Sequence, residues 1–156
     1  MARSVKKPQR HMNYRVLFKN SAIVCAVVLM AAAFSGCSAI HDFISPAPDW
    51  QARNGQLLYH GKRTTLIGEV LVRFSKAGDF ELTFTKGPGV ALLEIRQDAT
   101  NFNVKGPLAG VKWSGSTANA PAHLRGWLGL REKLMALGDK TSLTHSSGGE
   151  TFTFRF

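Results

Sequence analysis

The sequence is poor in cysteine, in acid and in long apolar runs. Only two of its 156 residues are cysteine, Cys25 and Cys37. Cys25 lies inside the apolar stretch Ala22–Phe34, so a chain processed after that stretch keeps one thiol and forms no intramolecular disulfide. No Cys-x-x-Cys or His-Glu-x-x-His spacing occurs, and His41, His60, His123 and His145 are scattered along the chain. The usual zinc signatures are therefore missing, and neither a metal nor a cofactor is expected. Ten acidic residues stand against twenty basic ones, a formal charge of +10. The excess is uneven. Arg3, Lys6, Lys7, Arg10, Arg15 and Lys19 precede Cys37 and every acidic residue follows it, which leaves 14 − 10 = +4 from Cys37 onward. With no Lys/Arg block or aromatic-basic motif in that part, the charge argues against a nucleic-acid partner and leaves a mild attraction to anionic lipid headgroups.

Catalytic signatures are lacking as well. Gly106–Lys112 has the wrong glycine spacing for a phosphate loop and no Lys-Ser/Thr pair after its second glycine, so it reads as a turn. Ser114 and Ser116 flank Gly115 without making a nucleophile elbow. Glu69 and Glu81 are the one pair of carboxylates that a hairpin could bring together, at positions expected to face opposite the apolar side. Solvated surface carboxylates are the commoner outcome there, and no enzymatic activity is expected.

What is present begins with an export signal. A basic segment, the apolar stretch Ala22–Phe34 and the small residues Ser35-Gly36 before Cys37 follow the order of a secretory signal peptide. Phe34-Ser35-Gly36-Cys37 resembles the lipobox of bacterial lipoproteins, with Phe34 in place of the usual Leu. The resemblance implies cleavage before Cys37 and acylation of its thiol. The competing reading is a permanent transmembrane helix, since no charge occurs between Asn20 and Ile40 and about twenty residues span a bilayer. Against it, the strongly apolar part has only thirteen residues, and Ser35, Gly36 and Ser38 suit hydrocarbon poorly. Ser38 after the cysteine resembles the outer-membrane sorting signal. The expected organisation is a signal peptide over 1–36, a lipidated tether over 37–49 with Pro46 and Pro48, and a folded domain over 50–156.

From Lys62 onward the apolar period is two. Leu66, Val70, Val72 and Phe74 alternate with polar residues, Ser75–Asp79 forms a turn, and Phe80, Leu82 and Phe84 alternate in the next strand. Lys86-Gly87-Pro88-Gly89 turns again. Further strands are expected at Val90–Gln97, Phe102–Lys105 and Val111–Ser114, and a last hairpin at Thr141–His145 and Glu150–Phe156. Ala120–Leu137 breaks the pattern, with Leu124, Trp127, Leu128, Leu134 and Leu137 at helical spacing after the capping candidate Asn119. The fold class is thus mainly β with one or two helices on an antiparallel, curved sheet. A transmembrane barrel would need more strands.

Asp79–Ile95, with its Gly87-Pro88-Gly89 tip, and Leu124-Arg125-Gly126-Trp127-Leu128 resemble, in the same order, two segments of the LolA/LolB lipoprotein-localisation family, in particular its outer-membrane lipoprotein member LolB. The resemblance implies a half-barrel with a helical lid around an apolar cavity that accepts the acyl chains of lipoproteins from a periplasmic LolA-like carrier. On that basis Leu66, Val70, Val72, Phe80, Leu82, Phe84, Leu93, Ile95 and Trp127 line the acyl site, Gly87, Pro88 and Gly89 form a membrane-facing tip, and the protein sits at the periplasmic face of the outer membrane. Two departures stand out. The family carries an exposed apolar residue where this tip has Pro88, and the chain is shorter at its C-terminus. The alternative is a structural or envelope-assembly lipoprotein in which the same apolar stripe is a closed core without ligand. A cavity at Leu82, Phe84 and Leu93 favours the carrier and a filled interior the alternative.

Overall fold

The structure, a computed structural model, describes residues 41–87 and 89–156. The expected signal segment, Cys37, Ser38 and Pro88 lie outside the described residues, as does the stretch on which the transmembrane alternative rests. Residues 41–156 form one compact unit.

Eight strands form a single antiparallel sheet among the described residues: β1 (Gln51–His60), β2 (Thr65–Phe74), β3 (Phe80–Thr85), β4 (Ala91–Gln97), β5 (Asn101–Lys105), β6 (Trp113–Ser116), β7 (Ser142–Ser147) and β8 (Glu150–Arg155). Their order across the sheet is β6-β5-β4-β3-β2-β1-β8-β7. The first six are a meander, and the C-terminal hairpin returns to pair β8 with β1. The connection from β6 to β7 carries two short helices, α1 (Arg125–Leu128) and α2 (Leu130–Met135). The expected fold class is what the structure has, a mainly β, curved and open sheet with one helical segment.

Alternation decides which face is covered. Phe80, Leu82 and Phe84 of β3, Val70 and Val72 of β2, Leu93 and Ile95 of β4, and Phe152 and Phe154 of β8 are all buried, and the helices add Leu124, Trp127, Leu130 and Leu134. Helices of four and six residues have little stability of their own, so burial of this stripe holds them in place. They are also tied down by side chains. Arg131 donates from Nε and Nη2 to the carbonyl of Gly78 in the β2–β3 turn, at 2.9 and 2.8 Å. Arg53 of β1 donates to the carbonyls of Gly138 and Lys140 just beyond α2.

The structure adds one strand and corrects two expectations. β1 carries no strong sequence signal, yet it pairs with β2 over ten residues and with β8 on its other side. Its N-terminal half is polar, and Leu57-Leu58-Tyr59 is an unalternating apolar triplet, so its strand character comes from its two neighbours. The expected single helix over 120–137 is broken into 3-10 turns at Thr117–Asn119 and Ala122–Leu124, then α1 and α2 with Gly129 between them. Asn119 caps nothing: it closes a 3-10 turn, and Pro121 stands at the head of the next one. The last expected meander strand is Trp113–Ser116 instead of Val111–Ser114, because Val111 is 62% exposed and follows Gly110, whose φ of +77° ends the preceding turn.

At the chain's entrance to the domain, His41 donates from Nε2 to Asp98 Oδ2 at 2.5 Å and accepts at Nδ1 from Asn101 Nδ2 at 3.3 Å. Asp98 Oδ1 also accepts from the backbone N–H groups of Thr100 and Asn101, at 2.7 and 2.8 Å, an Asx turn that closes β4 onto β5. Burial pushes the Asp98 carboxyl up, but these backbone donors, with His41 and the Thr100 hydroxyl, outweigh it and hold the group at about 2. A carboxylate depressed in the folded state stabilises above its ordinary value of about 3.9 and ceases to do so as the pH falls through its folded value. We therefore expect stability to decline between about pH 4 and pH 2 through this group. Asp98→Asn, which keeps an acceptor but not the charge, should flatten that acid limb in urea unfolding followed against pH. An unchanged limb would remove Asp98 as its source.

Candidate functional site

The residues expected to line an acyl site do converge. The register places Val70 opposite Phe84, Val72 opposite Leu82, Leu82 opposite Ile95 and Phe84 opposite Leu93. Phe80 flanks them, Trp127 faces Phe84 from α1 with ring centroids 6.2 Å apart, and Leu66 packs at the margin, partly buried. In this conformation they form a packed core. Leu82, Phe84 and Leu93 are 0% exposed, which leaves them facing neither solvent nor a void wide enough for one water molecule. The helical segment packs Leu124, Trp127, Leu130 and Leu134 into the same core. At the tip, Gly87 and Gly89 have φ of +69° and +80°, and the exposed apolar side chain beside them is Val90, at 52%.

The carboxylates considered for acid–base work do not meet. Glu69 stands opposite Thr85, four residues along β2 from the Arg73–Glu81 pair, a separation of about 13 Å. Glu81 is instead clamped on the uncovered face by Arg73 Nη2 at 2.6 Å and Arg96 Nε at 2.5 Å. The histidines are likewise engaged locally, His60 with Thr65, His123 edge-on to Trp113 and His145 stacked on Phe152. Among the described residues no three His, Cys, Asp or Glu side chains are grouped to hold a metal.

A concave site exists elsewhere, at the strand ends away from His41. The β1–β2 turn, the β7–β8 turn, Leu108 of the β5–β6 loop and the head of α1 surround a cleft of about 820 Å³. Its floor is built from Tyr59 and Glu150. The Tyr59 hydroxyl donates to Glu150 Oε1 at 2.6 Å, and its ring lies 4.9 Å from Trp127 and 5.4 Å from Phe152. Burial, followed by the hydrogen bond and charge of Glu150, pushes the phenol far above its ordinary value, against a smaller opposing effect at Trp127. Tyr59 is thus a fixed proton donor. Gly126 permits this packing, since a Cβ there would stand 2.8 Å from Glu150 Oε2 and 3.3 Å from the Phe152 ring. Lys62, Arg63, His123 and Arg125 stand around the opening, all exposed.

None of Tyr59, Lys62, Arg63 or Glu150 is marked by a motif. They come from two turns almost ninety residues apart, brought together by the β1–β8 pairing, which places Tyr59 opposite Phe152 and His60 opposite Thr151. Only a reading of Gln51–His60 as a strand beside the C-terminal hairpin would have located them. No protein-family model matches the chain, and no curated protein is detectably similar to it in sequence.

Proposed function

We infer that this chain is a lipid-anchored envelope protein without enzymatic activity, acylated at Cys37 and held at the periplasmic face of the outer membrane, whose sheet domain acts as a structural or assembly module with a closed core. The observation that carries the anchor is the Phe34-Ser35-Gly36-Cys37 sequence behind a basic and apolar leader, with no second cysteine after it. The closed core is supported by the complete burial of Leu82, Phe84 and Leu93 beneath the helices. Cys37→Ala should abolish labelling by a radioactive or clickable fatty acid and leave the precursor uncleaved. A variant still processed before residue 37 and still membrane-bound would sink the lipoprotein reading.

One observation favours a second reading, a LolB-like carrier of lipoprotein acyl chains with a LolA-like donor. The helices cover the apolar face of the sheet through segments too short to be stable alone, and a cleft already separates their head from the β1–β2 turn. In that case α1 and α2 are a lid that must lift, breaking the Arg131–Gly78 and Arg53–Gly138 bonds, before an acyl chain reaches Phe84. Saturable binding of a fluorescent fatty acid would favour the carrier, and its absence the closed-core module.

A further inference from the structure

The cleft at the ends of β1 and β8 has the chemistry of a site for an anionic amphiphile, and it needs no opening of the core. Three permanent cations reach it from two separate elements, Lys62 and Arg63 from the β1–β2 turn and Arg125 from the head of α1. Among the described residues no carboxylate lies within 4.0 Å of any of them, whereas Arg73, Arg96 and Lys105 elsewhere on the domain are paired with Glu81 or Glu94. The one carboxylate in the wall, Glu150, is turned to the floor by its bond to Tyr59. With His123 neutral the lining carries 3 − 1 = +2, which a phosphate monoester dianion matches and a single carboxylate does not.

The rest of the wall is mixed, with the polar side chains of Thr64 and Ser147 beside the apolar Leu108, Ala122 and Tyr59 ring. Leu108 and Ala122 line the same cleft as Tyr59, and Leu108 is partly buried against the core. A volume of about 820 Å³ is within the usual range for a small-molecule site. Such a volume is large enough for a headgroup and the first part of its chains. The chain joins the domain at the other end of the strands, through His41 at the β4–β5 turn, so the cleft opens away from that join.

We propose that this cleft binds a phosphate-bearing amphiphile, with Lys62, Arg63 and Arg125 taking the phosphate and Leu108, Ala122 and the Tyr59 ring taking the adjoining hydrocarbon. Charged bonds from arginine and lysine supply the phosphate recognition, and the apolar part of the wall distinguishes a lipid from a free anion. The inference does not depend on whether the domain is a closed-core module or a carrier.

The test is calorimetric titration of the full chain, in a neutral detergent, with three probes: dihexanoyl phosphatidic acid, inorganic phosphate and dihexanoyl glycerol. The phosphatidic acid should bind saturably, about tenfold or more tighter than either other probe, and more weakly as salt rises. The double variant Lys62→Glu with Arg63→Glu, in an exposed turn, should lose about tenfold or more of that affinity at an unchanged thermal midpoint. Ala122→Asp, on the opposite wall, should lower it as well. Equal affinity for inorganic phosphate would reduce the cleft to a simple anion site and overturn the amphiphile, and equal affinity for dihexanoyl glycerol would overturn the role of the cations. Wild-type affinity in both variants would place the binding elsewhere and overturn the site.

Discussion

Phe84→Ala should cost the domain about 3–5 kcal/mol, the range found when a buried phenylalanine is truncated in a packed core. Phe84 is 0% exposed, lies between Val70 and Leu93 in the register and is covered by Trp127. No neighbour can collapse into the space without leaving its own partners, so the full cavity cost is expected. That is a large share of the roughly 5–15 kcal/mol by which a domain is stable, and it should lower the thermal midpoint by roughly 10–20 °C. The same variant separates the two functional readings. A wall of an open cavity has fewer packing partners than a core residue, so in a carrier the truncation would disturb acyl binding more than stability. Thermal unfolding and binding of a fluorescent fatty acid, measured on wild type and variant together, decide the matter. Saturable binding by wild type with a midpoint barely moved in Phe84→Ala would overturn the closed core.

Gly126→Leu is the second large effect, expected at about 2–3 kcal/mol for forced overpacking. The Cβ alone meets the Phe152 ring at 3.3 Å, and that ring is 0% exposed and held among Tyr59, Trp127 and His145. It has nowhere to go, so α1 must lift from β8 and the Tyr59–Glu150 bond must break or turn. Gly126→Ala should be milder. Its clash is with the end of the Glu150 side chain, and alanine recovers about 1 kcal/mol of helix propensity over glycine. Thermal unfolding of both variants, with tryptophan fluorescence to report on Trp127, checks the ranking. Leucine tolerated without loss would show that the head of the helical segment is not fixed against β8 in solution.

How far the sequence carries differs from element to element. The hairpin of Leu66–Phe74 with Phe80–Thr85 is legible because its alternation is uninterrupted and its turn, Ser75–Asp79, is closed locally by Ser75 Oγ to Asp79 at 2.8 Å. The last hairpin is legible through Phe152 and Phe154 and through Ser147–Gly149, where Gly148 and Gly149 supply φ of +60° and +82°. The core residues could be named in advance because alternation assigns a face. Whether that face enclosed a cavity could not, since an apolar stripe reads the same whether ligand or helix covers it. The cleft was not legible at all. Lys62 and Arg63 are turn residues and Arg125 heads α1, none of them in an anion-binding motif, and Tyr59 lies in a strand with a polar first half.

The sequence by itself therefore determined the alternating strands and the face they bury, both of which depend on residues close together in the chain. Tertiary structure alone decided three things. It made Gln51–His60 an interior strand of the sheet, because a polar strand is stabilised by ladders on both sides and not by its own propensity. It filled the interior with Trp127, Leu130 and Leu134, because two helices too short to survive in water persist only by burying that stripe. And it set Lys62, Arg63 and Arg125 around Tyr59 and Glu150, because only the closing pair of β1 with β8 brings two distant turns to the same rim.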